Sequence, residues 1–219
     1  MHAGLLRTLM SLRRPVHRFH ALFHSEMQLP TYPAKIRKMV RWSPDPVRFA
    51  AMALALERVR SANIPGALAE IGVHRGYCSK FLHEQLPERM LYLFDTFHGF
   101  PGSSDSRFRD TSIDFVKARL GNLENVQFRV GVFPDTVKGL DQEAFSFVLF
   151  DADKYDVAMA SFEFFYPRLS TGGFYILHDF NSDESDGDVR RAVDSFLRGK
   201  RELLTEIPDR GGTALFRKL

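Results

Sequence analysis

Beyond Gly66 the chain alternates short apolar runs with stretches of helical periodicity. The runs are Ala67–Ile71, Leu91–Phe94, Val126–Val130, Phe145–Phe150 and Phe174–Leu177. Between them, apolar residues recur at helical spacing over residues 77–87, 112–120, 156–166 and 188–198. Runs that are apolar without alternation predict strands buried on both faces, which means a parallel sheet covered by helices. Right-handed crossovers then wind the sheet in both directions from its first strand. The pattern changes at the end. Glu202–Ile207, the turn Pro208-Asp209-Arg210-Gly211-Gly212 and Thr213–Arg217 read as a β-hairpin. That hairpin puts an antiparallel strand into an otherwise parallel sheet.

Residues 1–62 carry no strand pattern. Pro30, Pro33, Pro44 and Pro46 punctuate them. Asp45-Pro46-Val47 predicts a helix N-cap followed by proline at the first helical position. The helix runs through Ala50, Leu54, Leu56 and Val59 and ends before Ile64-Pro65-Gly66. Met1–Ser25 holds no acid, but has Arg7, Arg13, Arg14 and Arg18 and a stripe of Leu5, Leu6, Leu9 and Leu12. It reads as an amphipathic helix packing on the domain or on a second subunit; a transit peptide and a membrane-surface helix are the other readings. The expected division is a helical extension over 1–62, serving as a cap or in a homodimer, and one α/β domain over 63–219.

Composition narrows this little. The 219 residues suit one such domain with a small addition, and 44% hydrophobic residues support a core. The 21 Phe fall mostly inside the apolar runs and read as packing. One Cys excludes an intrachain disulfide framework and a cysteine zinc site. The net charge of +3 is spread along the chain with no nucleic-acid motif, so no nucleic-acid partner is expected. No apolar run nears the roughly 20 residues that span a bilayer, and a secretory core is missing, so the expected location is cytoplasmic.

In an open α/β sheet, ligands bind beyond the carboxyl ends of the strands. The first strand ends in Glu70-Ile71-Gly72-Val73-His74-Arg75-Gly76. A dinucleotide turn needs Gly-x-Gly-x-x-Gly, so that backbone can approach a pyrophosphate. This chain offers only Gly72 and Gly76 and places Glu70 in the turn, where an acid repels a pyrophosphate. The turn suits a ligand with an ammonium group and no phosphates, a description that S-adenosylmethionine fits. The second strand ends at Asp95, where a carboxylate accepts hydrogen bonds from ribose hydroxyls.

Five segments then point to a family: Glu70–Ser79 (EIGVHRGYCS), 94–101 (FDTFHGFP), 131–136 (GVFPDT), 151–155 (DADKY) and 172–180 (GGFYILHDF). Together they resemble the macrocin O-methyltransferase family, and more distantly the catechol O-methyltransferases. The resemblance runs from about Gly66 onward and implies the class I methyltransferase fold, a Rossmann-like seven-stranded sheet with the terminal antiparallel hairpin. It implies S-adenosylmethionine as methyl donor and a divalent cation, usually Mg2+. Glu70, Gly72, Val73, His74 and Gly76 would form the turn around the methionine end, with Cys78 where the family often has Ser. Asp95, next to Thr96, would hold the ribose, and Gly131 and Phe133 would lie near the adenine.

Methyl transfer to oxygen requires an oxygen behind the sulfonium methyl and removal of its proton. A metal on that oxygen lowers its pKa and fixes its direction, and hard cations want carboxylate ligands. The fourth and fifth strands end at Asp151 and Asp179, neighbours on one rim and the candidate metal ligands. Asp153 reads as a helix cap. The family pattern departs here. Macrocin-type enzymes show two adjacent acids where this chain has His178-Asp179, and catechol-type enzymes have Asp-Asn where it has Asp179-Phe180. His178 is therefore a candidate general base, metal ligand or supporting residue. Lys154 occupies the position of the catechol-type proton acceptor. Nearby acids raise a lysine's pKa, which ranks His178 ahead of it.

The expected function is metal-assisted O-methylation of a hydroxylated small molecule such as a sugar or natural product. A cofactor-binding relative without turnover, an NAD-dependent enzyme and an RNA methyltransferase are the alternatives.

Overall fold

The computed structural model describes residues 30, 32–99, 108–182 and 185–219. The expected basic helix over residues 1–25 lies outside these, as do residues 100–107 and 183–184. Over Tyr32–Leu219 the chain forms one unit built on a seven-stranded sheet of order β3-β2-β1-β4-β5-β7-β6. The strands are β1 (Ala67–Ile71), β2 (Leu91–Asp95), β3 (Val126–Val130), β4 (Phe145–Phe150), β5 (Leu169–Leu177), β6 (Thr205–Ile207) and β7 (Thr213–Arg217). The first five pair in parallel. β7 runs antiparallel between β5 and β6. This is the doubly wound sheet with a terminal hairpin that the sequence pattern predicts.

Alternate residues of the central strands feed two cores. On one face Leu68, Leu93, Phe147 and Leu149 pack under α1 (Ala34–Arg41), α2 (Pro46–Ser61), α3 (Tyr77–Gln85) and α4 (Ile113–Leu120). On the other, Ala69, Phe94, Phe150 and Tyr175 pack under α5 (Tyr155–Arg168) and α6 (Asp188–Leu197). The second core is aromatic. Phe162 stacks on Phe196 at 4.3 Å, and Tyr175 stacks on Phe216 at 5.3 Å. Helices on both faces are what strands apolar on both faces require.

Four local details differ from expectation. α1 is absent from the sequence reading. Four of its eight residues are basic, and only Ile36 and Val40, one turn apart, are buried. α3 stops at Gln85, short of Pro87, whose ring is incompatible with a continuing helix. β5 starts at Leu169, five residues before the expected Phe174, because the chain extends directly from the end of α5. Asp153 does not cap α5. Its amide at Tyr155 donates to Asp188 of α6 at 3.2 Å, which ties the two helix starts together.

α2 begins as predicted. Asp45 is its N-cap, accepts the Arg48 amide at 3.2 Å, and is followed by Pro46 at the first helical position. No helix among the described residues is long and apolar enough to cross a membrane.

Candidate active site

A cavity of about 450 Å3 opens at the carboxyl ends of β1, β2, β4 and β5. Gly72 begins it. Its φ is +88°, and a Cβ there would lie 2.0 Å from the Asp151 carbonyl oxygen, so only glycine lets the chain leaving β1 pass this close to the end of β4. Gly76 sits at the N-cap of α3 with φ +71°, and a Cβ would meet Val116 at 2.8 Å. The turn between them is held by Asp95. One of its oxygens accepts the amides of Val73 at 2.7 Å and His74 at 2.9 Å, and the other accepts Phe97 at 2.7 Å. Thr96 donates to the Gly99 carbonyl at 2.6 Å and closes the next turn.

Ile71, Gly72, His74, Asp95, Thr96, Gly131 and Phe133 all line the cavity. Phe133 is set by an edge contact with Phe94 at 5.7 Å and a stack on Phe165 at 6.0 Å. His74 pairs with Asp110 at 2.7 Å, Arg75 pairs with the same carboxylate, and Phe108 lies edge-on to the His74 ring. This end of the cavity suits a nucleoside. Asp95 contributes a carboxylate to its lining and Phe133 an aromatic wall.

Four predicted cofactor residues stand off the cavity wall: Gly76 at the start of α3, and Val73, Cys78 and Glu70. Val73 is buried in the core, its amide held by Asp95. Cys78 is buried, and burial pushes its thiol up to about 12, consistent with a packing role. Glu70 is 1% exposed and accepts a 2.5 Å hydrogen bond from Ser79. Burial raises its carboxyl well above the usual range, against the Ser79 hydrogen bond. Its carboxyl thus faces the inside of the β1–α3 unit.

The opposite end carries the charge. Ligand atoms of Asp151, His178 and Asp179 lie within 4.8 Å of one another. His178 Nδ1 is 2.9 Å from Asp151 and 2.6 Å from Asp179. Burial would lower the imidazole pKa, but the two carboxylates outweigh it and push it up to about 10. Asp151 is held below its usual value in spite of burial, by His178 and then Arg48. Asp153 joins the cluster in a left-handed conformation, with φ +57°. Its Oδ1 is buried without a hydrogen-bond partner among the described residues. Burial, then the charges of Asp151 and Asp179, push this carboxyl up to about 7. An acid cluster with an orphaned buried oxygen fits a hard cation, while His178 adds a nitrogen donor. Lys154 is exposed and lies off the cavity wall.

Three contributions come from parts of the chain that sequence reasoning left aside. Asp45 and Arg48 of α2 line the cavity, with Arg48 3.6 Å from Asp151. Asp153 was read only as a cap. Arg210 and Gly211 in the β6–β7 turn form part of the wall. A Cβ on Gly211 would lie 2.5 Å from His178 Nε2, so the hairpin turn rests directly on the imidazole. The one available signal was Asp45 at a helix start, since helix starts often face ligands. Phe180, where catechol-type enzymes have Asn, is 1% exposed under the Arg190 guanidinium and belongs to the core.

Comparison with known proteins bears on the family and the fold. The chain is 30% identical over 184 residues to 8-demethyl-8-(2,3-dimethoxy-alpha-L-rhamnosyl)-tetracenomycin-C 4'-O-methyltransferase of Streptomyces olivaceus, covering 74% of this chain and 69% of that one. It is 30% identical over 142 residues to mycinamicin III 3''-O-methyltransferase of Micromonospora griseorubida, covering 53% of this chain and 56% of that relative. Its fold matches the structure of the O-methyltransferase NovP with a TM-score of 0.70 at 23% identity, covering 90% of this chain and 93% of the other. The sequence pattern of the macrocin-O-methyltransferase (TylF) family matches residues 45–218. That span takes in α2, the glycine turn, the carboxylate rim and the hairpin, and it makes the chain a member of the macrocin O-methyltransferase family, an S-adenosylmethionine-dependent methyltransferase.

Proposed function

We propose that the protein methylates a hydroxyl of a sugar or a related small natural product, with a divalent cation held at the carboxylate rim. The observation that carries this is the cluster of Asp151, His178 and Asp179 at the edge of the cofactor cavity, with the unpartnered Asp153 oxygen beside it. The Streptomyces relative is named for a rhamnosyl-bearing tetracenomycin and the Micromonospora relative for mycinamicin III, which supports an acceptor of that class.

When bound, S-adenosylmethionine supplies a methyl group on a sulfonium, which needs an oxygen aligned behind it. Asp151 and Asp179 would hold the cation, which would acidify and orient that hydroxyl. Asp153 receives the hydroxyl proton on Oδ1, which has no competing partner among the described residues. The protonated His178 donates to Asp179 and pairs with Asp151, which holds the two rim carboxylates together. The hairpin turn and α2 exclude water from two sides. Lys154, exposed and off the cavity wall, takes no proton in this reading.

The test is methyl transfer to glycosylated acceptors, with and without chelator. Activity is expected to vanish in EDTA and to return with Mg2+. Asp151→Ala and Asp179→Ala should be inactive while still binding S-adenosylhomocysteine. Full turnover in EDTA would remove the cation from the reaction.

A further inference from the structure

The turn between β6 and β7 carries a cation with no acid beside it. Arg210 lines the cavity, is exposed, and has no hydrogen bond or ion pair among the described residues. The other basic side chains described on that wall are engaged. Arg48 lies 3.6 Å from Asp151, His74 lies 2.7 Å from Asp110, and His178 is held by Asp151 and Asp179. The acids of the hairpin are occupied elsewhere. Glu206 accepts from Asn181 Nδ2 at 2.7 Å and pairs with Arg190. Asp209 accepts the Thr213 amide at 2.8 Å, and its second oxygen is buried.

The turn that carries Arg210 is fixed in place. The Asn181 amide donates to the Gly212 carbonyl at 3.2 Å. Gly212 has φ +66°, and a Cβ there would lie 2.5 Å from the Asn181 Cβ. Gly211 rests on the His178 imidazole. Arg210 therefore stands one residue from the contact with the rim, at the end of the cavity where the hydroxyl to be methylated must lie. An anion entering there would be repelled by Asp151, Asp153 and Asp179 unless a cation met it. A guanidinium with open N–H groups is a fork for a carboxylate or a phosphoryl group. Such a charge contributes mainly to the choice between ligands.

We propose that Arg210 selects acceptors that carry an oxyanion, a carboxylate or a phosphoryl group, near the hydroxyl that is methylated. The inference rests on the O-methylation reading of the cavity and narrows its acceptor to an acidic or phosphorylated sugar. Arg210 acts on specificity and takes no part in moving the proton.

The test titrates three sugars of one ring type into the full chain saturated with S-adenosylhomocysteine: methyl glucoside, methyl glucuronide and glucose 1-phosphate. By calorimetry, at least one of the two anionic sugars is expected to bind about tenfold more tightly than the neutral one, the worth of one charge-assisted contact. Whichever binds better tells a carboxylate site from a phosphoryl site. The gap should narrow at high salt, because Arg210 is exposed. Arg210→Gln should abolish the gap by weakening the anionic sugar alone, Arg210→Lys should keep part of it, and Arg210→Glu should reverse it. Equal affinities for the three sugars, binding of none, or a gap that survives Arg210→Gln would overturn the assignment. Methyl transfer is then measured on the same sugars. An Arg210-dependent gap in binding without any transfer would sink the O-methylation reading and leave the anion contact standing.

Discussion

At the scale of single residues, the carboxylate rim decides the chemistry. Asp153 has a buried oxygen with no partner among the described residues, and a carboxyl pushed up to about 7 by burial and by two neighbouring acids. Asp153→Asn is expected to lower kcat by roughly 10²–10⁴, the usual worth of a positioned base, with S-adenosylhomocysteine affinity unchanged. A kcat within threefold of the unmodified enzyme would assign the proton elsewhere. His178 makes a prediction about stability. Its folded pKa of about 10 lies above the ordinary 6.5. Protonated His178 therefore stabilises the cation-free fold fully below pH 6.5, and that contribution is lost as pH rises toward 10. The melting temperature of chelated protein should fall between pH 7 and 9.5, and His178→Gln should flatten that slope. Parallel slopes in the two proteins would show that the imidazole is not held charged.

At the scale of elements, the sequence was most readable where one element's period was enough. β1, β2 and β4 appear as mainly apolar runs and β3 as an alternating one; Asp95 and Asp151 are legible as site residues because they end or directly follow such runs, and Asp179 because it lies two residues past the fifth. Asp45, Arg48, Arg210 and Gly211 were not legible. They reach the site through the packing of α2 and through the insertion of β7 beside β5, long-range events with no local period. Asp153 was misread because a short polar residue before a helix is the normal cap, and here Asp188 of a different helix does that work. Asp188→Ala is expected to cost about 1 kcal/mol, the value of one lost cap, visible as a melting shift of about 2–4 °C. The hairpin turn gives a sharper test. Gly211 has no left-handed φ, so Ala suits its backbone, but the added methyl would press on His178. Gly211→Ala should cut activity by about a hundredfold, as for small misplacements of a reacting group, while melting moves by only a few degrees. Unchanged turnover would show that the turn stands clear of the imidazole during reaction.

At the scale of the whole molecule, the sheet gathers the site from far-apart stretches: α2 before it, the strand ends within it, and the hairpin after it. The strand order also governs synthesis. As the chain leaves the ribosome, β1 to β5 and their helices emerge before β7, the partner of β5. A nascent chain extended only through α6 already holds the glycine turn and all the rim acids. It also holds β5 as a raw edge, with backbone donors and acceptors from Phe174 to Leu177 open to any passing strand. Nothing yet rests on His178. The last strands thus quench an adhesive edge and finish the catalytic chamber in one folding event, so a newly made copy gains protection from self-association together with the ability to turn over.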